Sequence, residues 1–312
     1  MTRSRTGCAL HGAIRAARAI SGVVPVVHST AGCSALLEFG PGPASSNIVE
    51  KQVIFGGSSR LREQLKNAVK VIAGDLYIVL GGCATELVGD DIPAMTKEAV
   101  EQGYPVISAA APGFRGSAFD GYRFLLKALI GNLPDAVTGG CDKKEGLVNL
   151  LGIVPGEHAT WEGDLAELSR ALELAGLKTN PVFGFEGGVE GVRDLARAGA
   201  SVVLSPWGLD AAIHLESRFG IPWTAVEAVP VGASETVSFL RQVAAAAGID
   251  AGRIENGLLA EARRERHFLK RLFDAPFGHD FQKEFAVVGP GSHALGVARF
   301  LSGTLGWLPS LV

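Results

Sequence analysis

Seven short apolar runs constrain this chain more than any other feature. They are Val23–Val27, Leu76–Leu80, Pro105–Ala109, Val148–Val154, Pro181–Phe185, Ser201–Ser205 and Phe285–Gly289. Each is rich in Val, Ile and Leu, and most do not alternate apolar with polar residues. A strand with one wet face alternates, whereas a strand covered on both faces does not. Helical stretches such as Leu61–Ile72 lie between the runs. The expected fold is therefore α/β, with two to three Rossmann-like domains whose parallel sheets are flanked by helices. The 41 glycines suit many tight strand-to-helix turns.

A length of 312 residues fits two or three domains. Breaks are expected at Thr138–Lys144 and near Ala247–Asp250, giving domains over 1–140, 145–247 and 250–312. Gly252–Phe273 carries Glu255, Glu261, Arg263, Arg264, Glu265, Arg266, Lys270 and Arg271, and reads as a linker helix with one solvated face. After it come a strand at Phe285–Gly289 and a helix at His293–Ser302, and the sequence closes at Val312. One βα unit cannot bury its own apolar faces. Either it docks on an earlier sheet or the third domain is truncated.

The formal net charge is −3, and no basic block exceeds a few residues. Nucleic-acid binding is therefore not expected, because neutralising phosphates needs clustered Lys and Arg. No unbroken apolar stretch is long enough to cross a membrane. Ala9–Val27 is interrupted by His11, Arg15, Arg18 and Pro25, which does not suit a signal peptide. A cytoplasmic location is expected. Four cysteines in such a chain do not make a disulfide framework.

Three of those cysteines have suggestive surroundings. Cys8 opens the apolar helix ALHGAIRAARAI. Cys33 (HSTAGCSA) and Cys83 (GGCATE) each follow a predicted strand directly. Ligands bind at that carboxyl edge of an open α/β sheet. Helix N-termini there favour thiolate, the form that binds iron. Gly32, Gly81 and Gly82 let the backbone approach a bulky inorganic group. The sequence separations are too wide for a zinc finger, a ferredoxin loop or a CxxC pair. On spacing alone, buried apolar thiols explain the same residues.

The segments CALHGAIRAARAISGVVPVVHSTAGCSA, VIFGGSSRLREQLKNA, GGCATELVGDDIPAM, APGFRGSAFDGY, LLGIVPG…EGDLAELSRALELAGL and FAVVGPGSHALGVARFL carry a resemblance. Together they resemble component 1 of the nitrogenase superfamily, and its β-type (K-type) subunit in particular. The stretch from Cys83 to Gly89-Asp90-Asp91 is the most specific part. The resemblance implies three Rossmann-like domains per subunit and pairing with a D-type subunit, usually as two such pairs. It implies three cysteines from each subunit facing an iron–sulfur cluster at the interface, [8Fe-7S] in nitrogenase proper and [4Fe-4S] in relatives. The matching ligands here are Cys8, Cys33 and Cys83. Electrons would arrive from an ATP-hydrolysing iron protein, whose docking surface includes a phenylalanine matching Phe55.

Two departures stand out. Where some β subunits carry a serine ligand in a Pro-Ser-Phe context, this chain reads Pro112-Gly113-Phe114. The loop from Cys33 to Phe55 is short, and almost nothing precedes Cys8. Both point to a nitrogenase-like relative whose substrate is dinitrogen, a tetrapyrrole, or a small sulfur or carbon compound.

Other residues have plainer readings. Cys141 in GGCDKK is an incidental linker thiol. His28 and His11 pack and orient their turns, with tuning of a cluster by hydrogen bonds as the alternative. Asp90 and Asp91 are helix-capping candidates, and Glu86 is another polar neighbour of Cys83. Trp161, Trp207, Trp223 and Trp307 read as core or interface residues. In GPGSHALG the third glycine, Gly296, is misplaced for a dinucleotide loop. No P-loop and no GxSxG elbow occurs, so no catalytic residue is assigned and ATP hydrolysis falls to a partner. The reading is an electron-transfer subunit that relays electrons to a cofactor or substrate in the D-type partner. The alternatives are a scaffold for cofactor assembly and, of a different class, a metal- or tetrapyrrole-binding module. Leu10, Ala35 and Leu36 are the apolar residues expected to be free for burial at the subunit interface.

Overall fold

A computed structural model describes residues 7–35, 42–134, 143–274 and 283–311. Cys141, Leu36 and most of the expected Thr138–Lys144 break lie outside the described residues. The chain divides into two compact units. One comprises the residues up to 134 together with 154–162 and 181–195, and the other comprises 143–153, 163–180 and 196–311.

The first unit runs α1 (Ala9–Arg18), β1 (Val23–His28), α2 (Ala31–Ala35), β2 (Ala44–Ser45), α3 (Glu50–Phe55), α4 (Ser58–Val71), β3 (Leu76–Gly81), α5 (Cys83–Val88), α6 (Ile92–Glu101), β4 (Val106–Ala110) and α7 (Ala118–Gly131). Its sheet has the order β2-β1-β3-β4 and is parallel throughout. Helices cover both faces, which is why the strands read as unbroken apolar runs. On one face Leu61, Leu65 and Ala68 of α4 and Ile92 and Ala99 of α6 pack against Val26, Tyr77, Val79 and Val106. The spacing of Leu61, Leu65 and Ala68 puts them on one side of their helix. On α1 and α7, Leu10, Ile14, Tyr122, Leu125 and Leu129 are buried. Each such side chain contributes about 2 kcal/mol on removal from water.

Two glycines bring α1 and α7 into backbone contact. A Cβ on Gly12 would lie 1.8 Å from the Ala118 carbonyl oxygen, and one on Gly121 would lie 2.0 Å from that of Ala9. No side chain fits between the helices there. The contact continues past the helix ends, where Cys8 bridges Ser117 and the Ala9 amide donates to the Gly116 carbonyl at 3.1 Å.

The second unit contains β5 (Lys144–Leu151), most of α8 (Trp161–Leu174), β6 (Lys178–Thr179), β7 (Ala198–Val203), α10 (Leu209–Phe219), β8 (Trp223–Ala225), α11 (Ala233–Ala246), α12 (Ala251–Phe273), β9 (Glu284–Ala286), α13 (Gly291–Gly303) and β10 (Leu308–Leu311); the short α9 (Val189–Asp194) belongs to the first unit. Its main sheet has the order β6-β5-β7-β8, again parallel, and β9 and β10 form a separate parallel pair. In α12 the inward face carries Ile254, Leu258 and the carboxylate of Glu261, which pairs with Arg170 at 2.8 Å.

One expected strand is absent. Pro181–Phe185 is irregular, and Phe185 is fully exposed. Pro181 has no N–H for a ladder, Gly184 takes φ +92°, and the Gly184 amide donates to the Ala19 carbonyl at 2.9 Å. The sheet position goes to the two-residue β6 just before it. The strand expected over Val148–Val154 ends at Leu151, because Gly152 turns the chain at φ +104°.

Candidate metal centre

In a parallel sheet of order β2-β1-β3-β4, the chain leaves β1 and β3 in opposite directions. That opens a crevice beyond their carboxyl ends. Cys33 emerges from the first turn and Cys83 from the second. Cys8, the N-cap of α1, is held near them by the α1–α7 contact. All three thiols are free and half-buried.

Cys8 and Cys83 converge on Gly113. A Cβ on that glycine would sit 2.9 Å from Cys8 Sγ and 3.2 Å from Cys83 Sγ. Its amide donates to Cys83 Sγ at 3.0 Å. Gly113 follows β4, and the Ala111 amide donates to the Gly81 carbonyl at 3.2 Å, which brings this loop over the Cys83 turn. The ion pair of Arg115 with Glu86, at 2.5 Å, joins the same loop to α5.

Cys33 sits one helical turn past Thr30, whose hydroxyl lies 3.5 Å from its Sγ. His11 stands between Cys8 and Cys33. Its Nδ1 is 3.7 Å from Cys8 Sγ, and the Cys33 backbone adds to the raising of its pKa. The hydrogen bond to His11 lowers the Cys8 thiol to about 7, against the opposing effect of burial. The imidazole is raised in turn, chiefly by Cys8. Cys8 therefore carries substantial thiolate at neutral pH, the form that ligates metal.

The remaining residues singled out from sequence fall as follows. Asp91 caps α6, accepting from the Ala94 amide at 3.0 Å. Asp90 instead accepts from the Gly57 amide at 2.7 Å and bonds His28 Nε2 at 3.1 Å. His28 is fully buried, and its Nδ1 meets Ser46 Oγ at 2.8 Å. Phe55, at the end of α3, is 80% exposed, and Ile54 and Val53 beside it are also exposed. Leu10 is buried within the chain and is not free for an interface. Nothing in the residue order points to the Gly113 amide, because a glycine shows only as a missing side chain. Ser46 and Thr30 carried no signal either.

Among the described residues, no three His, Cys, Asp or Glu side chains converge on the position of a single ion. A polynuclear iron–sulfur cluster makes a different demand, since its thiolates approach separate irons and its sulfurs accept amide hydrogen bonds. The residues present fit such a group. Cys8 and Cys83 meet at Gly113, Cys33 follows β1 at the same carboxyl edge, the Cys8 thiol is acidified, and Gly113 has no Cβ to fill the space between the first two.

The model of the nitrogenase component 1 type oxidoreductase family matches residues 8–312. The chain belongs to that family. Its curated relatives include nitrogenase molybdenum-iron protein beta chains, so the likeness is to the β type. That of Methanococcus maripaludis is 25% identical, with the match covering 98% of this chain and 71% of that protein. That of Bradyrhizobium diazoefficiens is 26% identical, over 94% of this chain and 61% of that one. The solved structure titled nitrogenase Cp1 at pH 6.5 superposes with a TM-score of 0.75 at 22% identity, covering 99% of this chain and 62% of its own. At that identity the structural match speaks for the fold. The chain thus spans under two thirds of the Bradyrhizobium relative and of the solved structure. The family is one of oxidoreductase components, and the relatives named are beta chains of molybdenum-iron proteins. No helix among the described residues is long and apolar enough to cross a membrane.

Proposed function

We propose that this chain is the β-type subunit of a nitrogenase-like reductase, and that Cys8, Cys33 and Cys83 are its ligands to an iron–sulfur cluster, [8Fe-7S] or [4Fe-4S], shared with a D-type partner subunit. When bound, the cluster would accept and release single electrons. Everything else is the work of the chain. The Gly113 amide places a positive dipole on the Cys83 sulfur. His11 acidifies Cys8. The turns after β1 and β3 hold their thiols at the sheet crevice. The cluster would take electrons from an ATP-hydrolysing iron protein docked at Phe55 and pass them to a cofactor or substrate in the partner. We further propose a cytoplasmic location and a division into three domains over 1–140, 145–247 and 250–312.

The convergence of Cys8 and Cys83 on the bare backbone of Gly113 carries this reading. A structural role for buried thiols would not leave all three part-exposed at one edge. Three thiolates are also fewer than the four that a [4Fe-4S] cluster takes, which is why a partner must complete the site. The test is anaerobic co-expression with the D-type partner, followed by iron analysis of Cys8→Ala, Cys33→Ala and Cys83→Ala. Each should lose most of its iron and weaken subunit pairing. Unchanged iron in all three would end the ligand assignment. For docking, Phe55→Ala should slow electron delivery with iron content intact, whereas loss of the cluster would show a core role.

A further inference from the structure

His28 is bonded on both its main chain and its side chain, and the two sets of bonds reach different parts of the site. Its carbonyl accepts from the Gly82 amide at 3.0 Å and from Thr85 Oγ1 at 2.8 Å. Those bonds fix the turn that presents Cys83. Five residues on, the chain from the same strand end presents Cys33. The imidazole points elsewhere, with Nδ1 on Ser46 and Nε2 on Asp90. Burial lowers its pKa and Asp90 opposes that lowering. A carboxylate only accepts, so the neutral ring donates from Nε2 to Asp90 and accepts the Ser46 hydroxyl at Nδ1. Both bonds are then satisfied with one ring proton.

Asp90 carries the connection outward. Its second oxygen accepts from the Gly57 amide at 2.7 Å. Gly57 lies two residues past Phe55 and is the N-cap of α4. The packing leaves no slack, since a Cβ on Gly57 would be 2.5 Å from Asp90 Oδ2, 2.8 Å from the Ile48 side chain and 3.1 Å from His28 Cε1. By contrast, α3 buries none of its own residues. Apolar packing therefore does little to fix the Phe55 end of that helix. Beside the contact of α3 with α5, the part-buried bond from Gly57 to Asp90 is a polar tie from that helix end to the body of the unit.

We propose that His28 and Asp90 are positioning residues that join the exposed Phe55 helix to the turns carrying Cys33 and Cys83, so that a partner seated on that helix is felt at the cysteine site. This rests on the docking and ligand reading above. Neither side chain touches the crevice; each acts through the backbone it holds. Displacing Phe55 pulls on Gly57, then Asp90, then the His28 ring, whose own carbonyl anchors the Cys83 turn. A short chain of well-formed hydrogen bonds, part-buried at Asp90 and buried at the His28 carbonyl, transmits such a shift, while a flexible one would absorb it.

The test uses the co-expressed, cluster-loaded heteromer with and without the iron protein, read by hydrogen exchange and by iron content. In the wild type, adding the iron protein should slow exchange over 49–57 and also over 82–90, by about tenfold. Asp90→Ala should keep its iron and its protection over 49–57 but lose the protection over 82–90. Electron delivery from the iron protein should fall by a similar factor, with chemical reduction of the cluster unchanged. Asp90→Asn, which can still accept from Gly57 and donate to a re-tautomerised His28, should restore both. Asp90→Ala with full protection over 82–90 would overturn the proposal. So would equal loss of iron and thermal stability in Asp90→Ala and Asp90→Asn, which marks a purely structural role. Absence of wild-type protection over 49–57 would remove the docking reading, and the proposal with it. Retention of iron by Cys33→Ala and Cys83→Ala would instead fault the ligand reading alone.

Discussion

The two four-stranded sheets, β2-β1-β3-β4 and β6-β5-β7-β8, have the same strand order, and their carboxyl edges carry different residues. Beyond β1 and β3 the turns end in half-buried thiols around the Gly113 loop. Beyond β5 and β7 the turns bond to each other, as those beyond β1 and β3 do through Gly82 and His28, but no thiol follows either strand. Ser205 Oγ donates to the Gly152 carbonyl at 2.6 Å, and the Leu204 amide donates to that of Leu151 at 2.7 Å. Gly208 then closes on the same backbone, where a Cβ would lie 2.6 Å from the Leu151 carbonyl carbon. The topology offers a crevice at both edges. Local residues decide whether it stays open to a ligand or is filled by the chain's own polar groups.

The most forceful way to break the contrast is to pry α1 from α7. Gly121→Val places a branched side chain where a Cβ alone would be 2.0 Å from the Ala9 carbonyl oxygen. Backbone cannot yield as a side chain does, so a loss of at least about 3 kcal/mol is expected. The urea midpoint reads it. Because that contact positions Cys8, iron content of the heteromer should fall as well. A variant with wild-type stability would show that the helices separate freely.

A matched pair of glycine substitutions sharpens the comparison. Gly208→Ala meets backbone at the closed edge and should cost about 2 kcal/mol, with iron unchanged. Gly113→Ala meets side chains rather than backbone, 2.9 Å from Cys8 Sγ, 3.0 Å from Cys8 Cβ and 3.2 Å from Cys83 Sγ. It should cost about 1 kcal/mol, since the two sulfurs can change rotamer while Cys8 Cβ has to give by only a few tenths of an ångström. Yet it should remove roughly half of the iron or more, because the new methyl occupies the space between the ligands. The same outcome for both variants would erase the distinction between the edges.

Much of this architecture was legible, and the reasons differ by element. β1, β3 and β4 are covered on both faces, so their apolar runs gave them away within a residue or so. β2 and β6 are two residues long, too short to hold any pattern. Pro181–Phe185 looked like a strand because Val182 and Phe183 are buried, but burial there comes without a ladder. Around the crevice, the turns that present Cys33 and Cys83 followed from strand ends and glycines. Phe55, which the resemblance marks as a docking residue, is exposed at the end of α3. The contact between Cys8, Cys83 and Gly113 could not be read, because it depends on how closely α1 and α7 approach. Asp90 and Asp91 looked equivalent as caps, and only the fold separates them, one at α6 and one at His28.

The open edge has a chemical signature that the closed edge lacks. The Cys8 thiol stands at about 7, held down first by its hydrogen bond to His11. In the cluster-free chain, alkylation of Cys8 should follow the thiolate and reach half its plateau near that pH. Removing the partner with His11→Ala should move the profile up toward the ordinary thiol value of about 8.5, slowing alkylation at pH 7 by about tenfold. Peptide mass spectrometry after timed alkylation reads the change. An unmoved profile would mean that His11 does not acidify Cys8.

The smallest effect belongs to the closed edge. Ser205→Ala removes one hydroxyl that donates to the Gly152 carbonyl at 2.6 Å, and that residue is buried. The loss of a single neutral hydrogen bond in such a place is worth about 1 kcal/mol. A Gly152 carbonyl left without that donor raises the figure slightly, while the smaller alanine side chain fits the space and adds no strain. Urea unfolding should therefore shift by about that amount, and iron content and electron delivery should not change. If Ser205→Ala also lowered iron content, the second edge would be acting on the cysteine site, and the division of labour between the two edges would fail.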